Sequence, residues 1–234
     1  MMIERRRHYS RLQKMWPHLL GLAVALLGSG IPARAQQFSA DLVIARDNVA
    51  PTPAGRLRVL ENKVRMETPE LADGFFLVDV TKAAAYFVRP GARVFMDAQQ
   101  SSRFARMFVT VDPDDPCRQW QAMAPKVGLA EQDWRCERVA EEAIEGRNTT
   151  VYRAVSASGQ EFSGWIDRER RFPLRVKTED GAIVTAEHVR DEPQPAESFQ
   201  IPSGFRKFDP QLLIDRIKQS DVWVADEKDS KSSR

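Results

Sequence analysis

The sequence predicts a mainly β protein of the α+β class, in which a strongly curved antiparallel sheet is covered on its concave side by short helices. Two observations support this prediction. Short segments alternate apolar and polar residues along most of residues 38–96 and 134–189, with turn-forming pairs such as Glu145-Gly146 between them. Between these two meanders, residues 99–123 lose the alternation and place apolar residues at helical spacing.

The first 35 residues have the composition of a secretory signal. Arg5-Arg6-Arg7 begins a basic segment, the apolar run Leu19–Leu27 follows, and Ala33-Arg34-Ala35 supplies small residues for cleavage. The apolar run is about half of the roughly 20 residues that cross a bilayer as a helix. We therefore predict cleavage after Ala35 rather than an uncleaved anchor, and a periplasmic protein without a permanent membrane span. The three arginines leave general and twin-arginine export both open.

Removal of the signal reverses the sign of the net charge. The whole chain has 35 Lys and Arg against 33 Asp and Glu, and residues 1–35 hold six of the former and one of the latter. The mature chain then has 29 basic and 32 acidic residues, a net charge of −3. Because the basic excess belongs to the signal, no nucleic-acid partner is expected. About 199 residues remain, which suits one β domain.

The chain has two cysteines, Cys117 and Cys136. An even number of cysteines in an exported protein favours a disulfide, which in a loop of this length stabilises by about 3 kcal/mol. Two buried free thiols are the alternative. A bridge would fasten the segment between the meanders to the first strand of the second meander.

The first meander has an opening strand with its apolar residues on one face, namely Phe38, Ala40, Leu42 and Ile44. A hairpin is predicted from Gly55 to Met66. Phe75–Val78 and Ala83–Val88 are apolar at every position, which predicts strands that are covered on both faces or that line an enclosed space. A further strand is predicted at Arg93–Met96.

The segment between the meanders is predicted to hold two short helices. Phe104, Met107 and Phe108 recur at helical spacing in the first. Asp112–Pro116 should supply acidic caps and the first turn of the second, which contains Cys117, Trp120 and Met123. The second meander is predicted as five strands, Trp134–Ala143, Asn148–Val155, Glu161–Ile166, Phe172–Lys177 and Ala182–Val189.

The C-terminal part is predicted to leave the sheet after one more short strand, Phe199–Phe205, which Pro202 would stop. Asp209-Pro210 should cap an amphipathic helix over residues 209–224, with Leu213, Ile214 and Ile217 on its apolar face. The charged tail at residues 225–234 is predicted to be disordered.

No motif indicates catalysis, so we predict a protein that is not an enzyme and has no catalytic residue. His188 is the single histidine left after signal removal. A zinc site would need His188 and both cysteines, which competes with the disulfide. We expect no metal and no cofactor. A hydrolase that uses carboxylates alone stays an alternative without a positive motif.

Large apolar side chains recur on both faces of the first meander and on the helical segment, which suits a sheet curved around an apolar cavity with the helices as a lid. A tightly packed core without a cavity is the alternative. The candidate cavity residues are Phe75, Leu77, Tyr86, Phe87, Phe95, Phe104, Met107, Phe108 and Trp165.

Two motifs add a family resemblance. One is Trp165-Ile166-Asp167 followed by Phe172-Pro173-Leu174-Arg175 and Gly181, and the other is Phe199–Phe205. Both resemble the periplasmic lipoprotein-carrier superfamily, the LolA/LolB/RseB-like half-barrels. The resemblance implies a half-barrel of about ten strands over residues 36–208, with an apolar cavity closed by short helices. It also implies binding of acyl chains, or of a lipidated or exposed protein segment.

These observations predict a non-catalytic periplasmic binding protein that holds lipid or acyl chains in an apolar cavity, as carriers that sort outer-membrane lipoproteins do. The alternative is an RseB-like envelope sensor or protein-interaction module with a filled core. Such a module would bind an envelope protein partner through the C-terminal helix and the charged tail.

Overall fold

One open, curved sheet is the main feature of the computed structural model, which describes residues 36–47, 49–99, 102–124, 134–156 and 159–219. Within these ranges the sheet has twelve strands. They are β1 (Gln37–Arg46), β2 (Val49–Leu60), β3 (Lys63–Glu67), β4 (Phe75–Asp79), β5 (Ala84–Arg89), β6 (Val94–Asp97), β7 (Arg135–Ile144), β8 (Arg147–Val155), β9 (Glu161–Asp167), β10 (Phe172–Thr178), β11 (Ile183–Arg190) and β12 (Arg206–Lys207).

Strand β1 lies inside the sheet and joins the two meanders. The order across the sheet is β12-β6-β5-β4-β3-β2-β1-β11-β10-β9-β8-β7. Neighbouring strands pair antiparallel, except that the short β12 runs parallel to β6. The predicted fold class, a mainly β protein with a curved antiparallel sheet, is confirmed. The described sheet has twelve strands where the family resemblance implied about ten.

Period-two alternation explains the strands of both meanders. In β1, Phe38, Ala40 and Leu42 are buried on one face. β2 begins at Val49 rather than at Gly55, and its residues before Gly55 pair with β1 alone among the described strands. Gly55 has a φ of +136°, and a Cβ there would overlap the carbonyl oxygen of Glu67 on β3. Glycine is therefore required where β2 bends and begins to pair with β3.

Two helices cover the concave face, as predicted. α1 (Arg103–Met107) begins at Ser102, whose Oγ accepts a hydrogen bond from the backbone N–H of Ala105 at 3.2 Å. α2 (Pro116–Met123) has Pro116 in its first turn, also as predicted. The predicted disulfide between Cys117 and Cys136 is present and joins α2 to β7, with a Cα–Cα distance of 5.6 Å.

The predicted acidic cap of α2 is wrong in its detail. Asp115 occupies the N-cap position but its side chain accepts no capping hydrogen bond. Asp112 instead accepts hydrogen bonds from the Asp114 backbone N–H at 3.1 Å and from Arg118 at 2.8 Å. The carboxylates of this segment thus stabilise the turn before the helix rather than the first helical turn.

The predicted strand at Phe199–Phe205 is also wrong. Ala196–Phe199 forms a 3-10 turn, an irregular segment follows, and the strand that pairs with β6 is β12, Arg206–Lys207. Pro202 has no N–H to donate to a ladder, and Phe199 is buried against the sheet face. The segment therefore crosses the face of the sheet instead of extending its edge.

The C-terminal helix is observed as α3 (Pro210–Gln219). The predicted cap is confirmed, because Asp209 Oδ1 accepts hydrogen bonds from the backbone N–H groups of Gln211 at 2.9 Å and Leu212 at 3.3 Å. The predicted signal peptide, the end of the predicted helix after residue 219 and the charged tail lie outside the described residues. Among the helices that are described, none has the length and apolar composition to cross a bilayer.

Candidate functional site

The concave face of the sheet and the two helices above it enclose the larger of two apolar clusters, which we call the inner cluster. Phe38 on β1 packs edge-on against Phe172 on β10, with ring centroids 5.3 Å apart. Trp120 on α2 packs in the same way against Phe162 on β9, at 4.8 Å. The Trp120 Nε1–H donates to the carbonyl oxygen of Met107 at 3.1 Å, so α1 and α2 are tied together above the sheet.

The inner cluster is filled by the protein's own side chains. A side chain that lines a cavity wide enough for a ligand keeps surface that a water molecule could touch. Eight large side chains of the cluster have less than 2% of their surface exposed, namely Phe38, Leu57, Met66, Phe108, Met123, Ile166, Phe172 and Leu174. These eight side chains are therefore packed as in a protein core.

Close packing also explains Gly164 on β9. A Cβ at this position would lie 2.7 Å from Cη2 of the Trp120 ring. A side chain would therefore push α2 away from the sheet. Glycine lets the indole ring of Trp120 lie directly on the β9 backbone.

Four of the nine candidate cavity residues lie together at the rim of this cluster. Phe87 on β5 and Met107 on α1 are 9% and 7% exposed, Phe108 is fully buried, and Phe104 is partly buried beside them. These residues form the contact between the first helix and the first meander. The structure thus brings Phe87, Phe104, Met107 and Phe108 together, and whether they bind a ligand stays a prediction.

Four other candidates lie on the opposite face of the sheet, in a second cluster that we call the outer cluster. Phe75, Leu77, Tyr86 and Phe95 pack there against Phe199. The pairing explains the split, because Phe75 is opposite Val88 and Leu77 is opposite Tyr86, whereas Phe76 is opposite Phe87. Cross-strand partners share a face, so these two sets point in opposite directions.

The segment after β11 covers the outer cluster with Phe199, Ile201 and Phe205. The Arg65 guanidinium lies 3.6 Å from the centre of the Phe75 ring, and Arg65 Nη1 donates to the carbonyl oxygen of Ser198 at 3.1 Å. Arg65 therefore holds the crossing segment and Phe199 against the sheet.

Trp165, the ninth candidate, belongs to neither group of four, although it is partly buried and packs against the inner cluster. Phe162 and Ile166 on β9 point into the inner cluster, and Trp165 points to the other face between them. Its Nε1–H donates to Glu142 Oε2 at 2.7 Å, and the Arg175 guanidinium lies 5.6 Å from its ring. Trp165 is a half-buried residue of the outer face.

The sequence prediction missed most of the residues that fill the inner cluster. Leu57, Met66, Trp120, Phe162 and Phe172 are all buried there. The period-two spacing of the four strand residues could have indicated them, since they have the phase of Phe38 once the strand pairing is known, whereas Trp120 lies on α2. Without the pairing, the two faces of each apolar strand are equivalent.

A buried ionic network fixes the turn between β9 and β10. Asp167 Oδ1 accepts hydrogen bonds from the backbone N–H groups of Glu169 at 2.9 Å and Arg170 at 3.1 Å, and Asp167 Oδ2 accepts one from Arg170 Nη1 at 3.1 Å. Arg170 also binds Asp191, and its carbonyl oxygen accepts a hydrogen bond from Gln36. The network connects the start of β1 to the end of β11 through one turn.

Polar surface grooves adjoin this turn. One, of about 560 Å³, is lined by Glu145, Arg147, Asn148 and Asp167, and a second, of about 300 Å³, shares Asn148 with it. Both are open and lined mainly by charged and amide groups. They are not apolar sites for an acyl chain.

His188 is exposed, and its imidazole lies beside the carboxylate of Asp41. Its Nδ1 is 3.4 Å from Asp41 Oδ2, and its backbone, with a φ of +50°, donates a hydrogen bond to Glu145 at 3.0 Å. Burial alone would raise the pKa of Asp41, but the hydrogen bond and charge of Arg190, with Arg56 and His188, lower it overall. In the described ranges, no three His, Cys, Asp or Glu residues are placed to hold a metal ion.

The carboxylate of Asp79 is expected to make the stability of the fold depend on pH. Its Oδ1 accepts a hydrogen bond from the backbone N–H of Thr81 at 3.1 Å, and Lys82 Nζ lies 3.4 Å from Oδ2. Burial would raise the pKa of Asp79, but the bonds to Thr81 and Lys82 lower it overall. Asp79→Asn should lower the free energy of unfolding by about 1 kcal/mol at pH 7.

The sign of the pH dependence follows from the lowered pKa of Asp79. The ionised group stabilises the fold above its unfolded pKa, about 4, and this contribution is lost as the pH falls through the folded pKa. Urea unfolding at pH 7 and at acid pH should show the difference between wild type and Asp79→Asn shrink. Asp73→Asn, which removes an exposed carboxylate, is the control. A difference that grows on acidification would contradict the assignment.

No protein-family model matches this chain, and no curated protein sequence matches it. Similar solved structures include an uncharacterized conserved protein from Thermus thermophilus, at 12% identity over 75% of this chain and 91% of that chain, with a TM-score of 0.42. A putative outer membrane lipoprotein-sorting protein domain from Vibrio parahaemolyticus is 11% identical over 70% of this chain and 89% of that chain, with a TM-score of 0.34.

The complex of Pseudomonas aeruginosa MucA and MucB is also similar, at 15% identity over 74% of this chain and 57% of that chain, with a TM-score of 0.38. This chain thus spans little more than half the length of that protein. These similarities concern the fold alone. The predicted resemblance to lipoprotein-sorting half-barrels is found among solved structures, at low identity.

Proposed function

We propose that this protein is a non-catalytic periplasmic binding module that recognises a segment of an envelope protein. The observation that supports this most is the filled inner cluster. Phe108, Phe172 and Leu174 occupy the space in which a carrier would hold an acyl chain, and all three are fully buried. Binding to the closed structure must therefore use the outside of the molecule.

α3 offers a surface of the kind that binds a protein groove. Leu212, Leu213 and Ile214 are 57%, 48% and 43% exposed. An amphipathic helix that presents neighbouring apolar residues is a common element of helix-in-groove recognition. The partner that fits is a protein with an apolar groove that accepts a helix.

Location in the periplasm agrees with the disulfide. The bond between Cys117 and Cys136 needs an oxidising compartment to form and persist. The basic and apolar composition of residues 1–35 supplies the route of export.

A lipid carrier is the second candidate, and the rim of the inner cluster supports it. α1 has five residues, and its Met107 and the neighbouring Phe87 on β5 are among the more exposed of the buried residues of the cluster. If α1 and α2 moved away from the sheet, the apolar face of β5, β9 and β10 would become accessible to an acyl chain. This candidate requires that opening, whereas the protein-binding candidate does not.

Two measurements on protein purified from the periplasm separate the candidates. If the protein binds an envelope protein, cross-linking should recover one dominant partner. Leu213→Glu should lose that partner. Gln211→Glu, which adds a carboxylate on the polar face of the same helix, should retain it. Protein binding also predicts no saturable uptake of a fluorescent fatty acid. Uptake of about one fatty acid per chain, with co-purified lipid in mass spectrometry, would instead support the carrier.

A further inference from the structure

Strand β7 is the exposed end of the sheet. Its one neighbour among the described strands is β8, and every residue from Glu137 to Ala143 is exposed. The other free edges of the described sheet carry obstacles to strand addition. β12 has two residues, and the part of β2 that pairs with β1 alone contains Pro51 and Pro53, which lack an N–H. β7 has ten residues and no proline.

The turn after β7 shows which backbone groups point outward. Glu145 and Gly146 both have positive φ, 48° and 75°, as in a two-residue type I′ hairpin, so Ile144 and Arg147 form the hydrogen-bonded pair that closes it. Such pairs alternate along an antiparallel ladder. The β7 residues opposite the even-numbered positions of β8 therefore direct their N–H and C=O groups away from the sheet. They are Ala143, Glu141, Arg138 and Cys136, opposite Asn148, Thr150, Tyr152 and Ala154.

A bulge makes the spacing of these outward groups irregular. The register shifts between Arg138 and Ala140, which leaves Val139 as the extra residue. The outward positions along β7 are thus separated by two, three and two residues. A regular partner strand would present its hydrogen-bonding groups every two residues, so it would be out of register with β7 beyond the bulge. The same irregular spacing occurs in a second β7, and it is unchanged when that strand is reversed.

We propose that two copies of this protein associate through antiparallel pairing of their β7 strands. In this register Cys136 lies opposite the partner's Ala143, and Arg138 lies opposite the partner's Glu141. All four outward positions of one copy then meet outward positions of the other. The two sheets become continuous, and a regular strand without a matching bulge could not satisfy all four outward positions.

The side chains of β7 fit this register at its centre. Val139, 49% exposed, lies opposite the partner's Ala140, so two apolar pairs meet at the two-fold axis. On either side Arg138 faces the partner's Glu141. These two residues already form an ion pair within one chain, and the dimer joins two such pairs into an alternating cluster of four charges.

One pair opposes the association. Glu137 lies opposite the partner's Glu142 in the same register. Within one chain, Glu137 lies 3.0 Å from Arg153, and Glu142 accepts the Trp165 Nε1–H at 2.7 Å. These contacts reduce the repulsion without removing it. Glu142→Gln should therefore strengthen the association, a result that loss of structure could not produce.

Sedimentation equilibrium of the mature chain tests the proposal. Wild type should form dimers. Arg138→Glu and Glu141→Arg should each raise the dissociation constant of the dimer by about tenfold or more, because each substitution places like charges opposite one another at two positions of the interface. The double variant Arg138→Glu with Glu141→Arg should restore it. Glu70→Arg, on an exposed turn far along the chain, is the control and should have no effect.

Hydrogen exchange gives an independent measurement that does not depend on a variant folding. The backbone amides of Glu141 and Ala143 should exchange more slowly at a concentration at which the protein is dimeric, whereas the amide of Glu142, already paired with β8, should not change. A monomer at about 100 µM, at which moderate-affinity dimers form, would overturn the proposal. The proposal would also be overturned by a dimer whose dissociation constant the charge variants leave unchanged and whose Glu141 and Ala143 amides exchange as fast as in the monomer.

Discussion

Replacement of Phe108 by alanine is expected to lower the free energy of unfolding by about 3–5 kcal/mol. Phe108 is fully buried, and its ring centroid lies 6.3 Å from that of Phe172 on β10. The substitution removes a large apolar side chain from between the first helix and the sheet. It leaves a cavity that the surrounding side chains can fill only in part.

Urea unfolding followed by circular dichroism measures this loss. Leu212→Ala, at an exposed position of α3, is the control and should change stability by less than about 0.5 kcal/mol. If the concave face held an open cavity in the native protein, truncation of Phe108 would remove few contacts. A loss below about 1 kcal/mol would therefore contradict a filled inner cluster and favour the lipid carrier.

Loss of the disulfide is expected to have the second largest effect. Cys117→Ser with Cys136→Ser should lower the free energy of unfolding by about 3 kcal/mol, because the bridge closes a loop across 19 positions of sequence. The bridge also fastens α2 to β7, so its loss should let the helix leave the sheet more often. Access of an apolar dye to the inner cluster should then increase.

Thermal unfolding of the double variant, with and without a reducing agent, tests this prediction. Reduction should destabilise wild type and leave the double variant unchanged, which separates loss of the bond from the effect of serine at these positions. Equal dye binding by both proteins would show that α2 is held by packing alone, through contacts such as that between Trp120 and Phe162.

The strands could be predicted from the sequence because their signal is local. The strands of the second meander were predicted to within about two residues, as for β9 and β10, because alternation and turn residues define each hairpin without reference to the rest of the chain. The helix caps were less predictable. Asp209 caps α3, whereas the similar Asp115 does not cap α2, since nearby Asp112 and Arg118 stabilise the turn instead.

The candidate site could not be predicted to the same degree. Phe75 and Phe87 lie on strands that are apolar on both faces, so the sequence contains no polar side to fix which residues point inward. The register with β3 and β6 decides it, and register depends on long-range pairing. Phe199–Phe205 failed for a related reason, because burial against the face of the sheet outweighed its strand-like composition.

The position of β1 has a consequence for how the chain folds. One edge of β1 pairs with β2, the next strand in the sequence. The other edge pairs with β11, which lies near the end of the domain and is synthesised much later. Until β11 has been made, the central strand of the chain therefore has one unpaired edge, and an unpaired strand edge is a site of misassociation. Final closure is a late, long-range step, so folding should be slow for a domain of this size. A chaperone that shields the unpaired edge of β1 until β11 has been made would therefore raise the yield of folded protein.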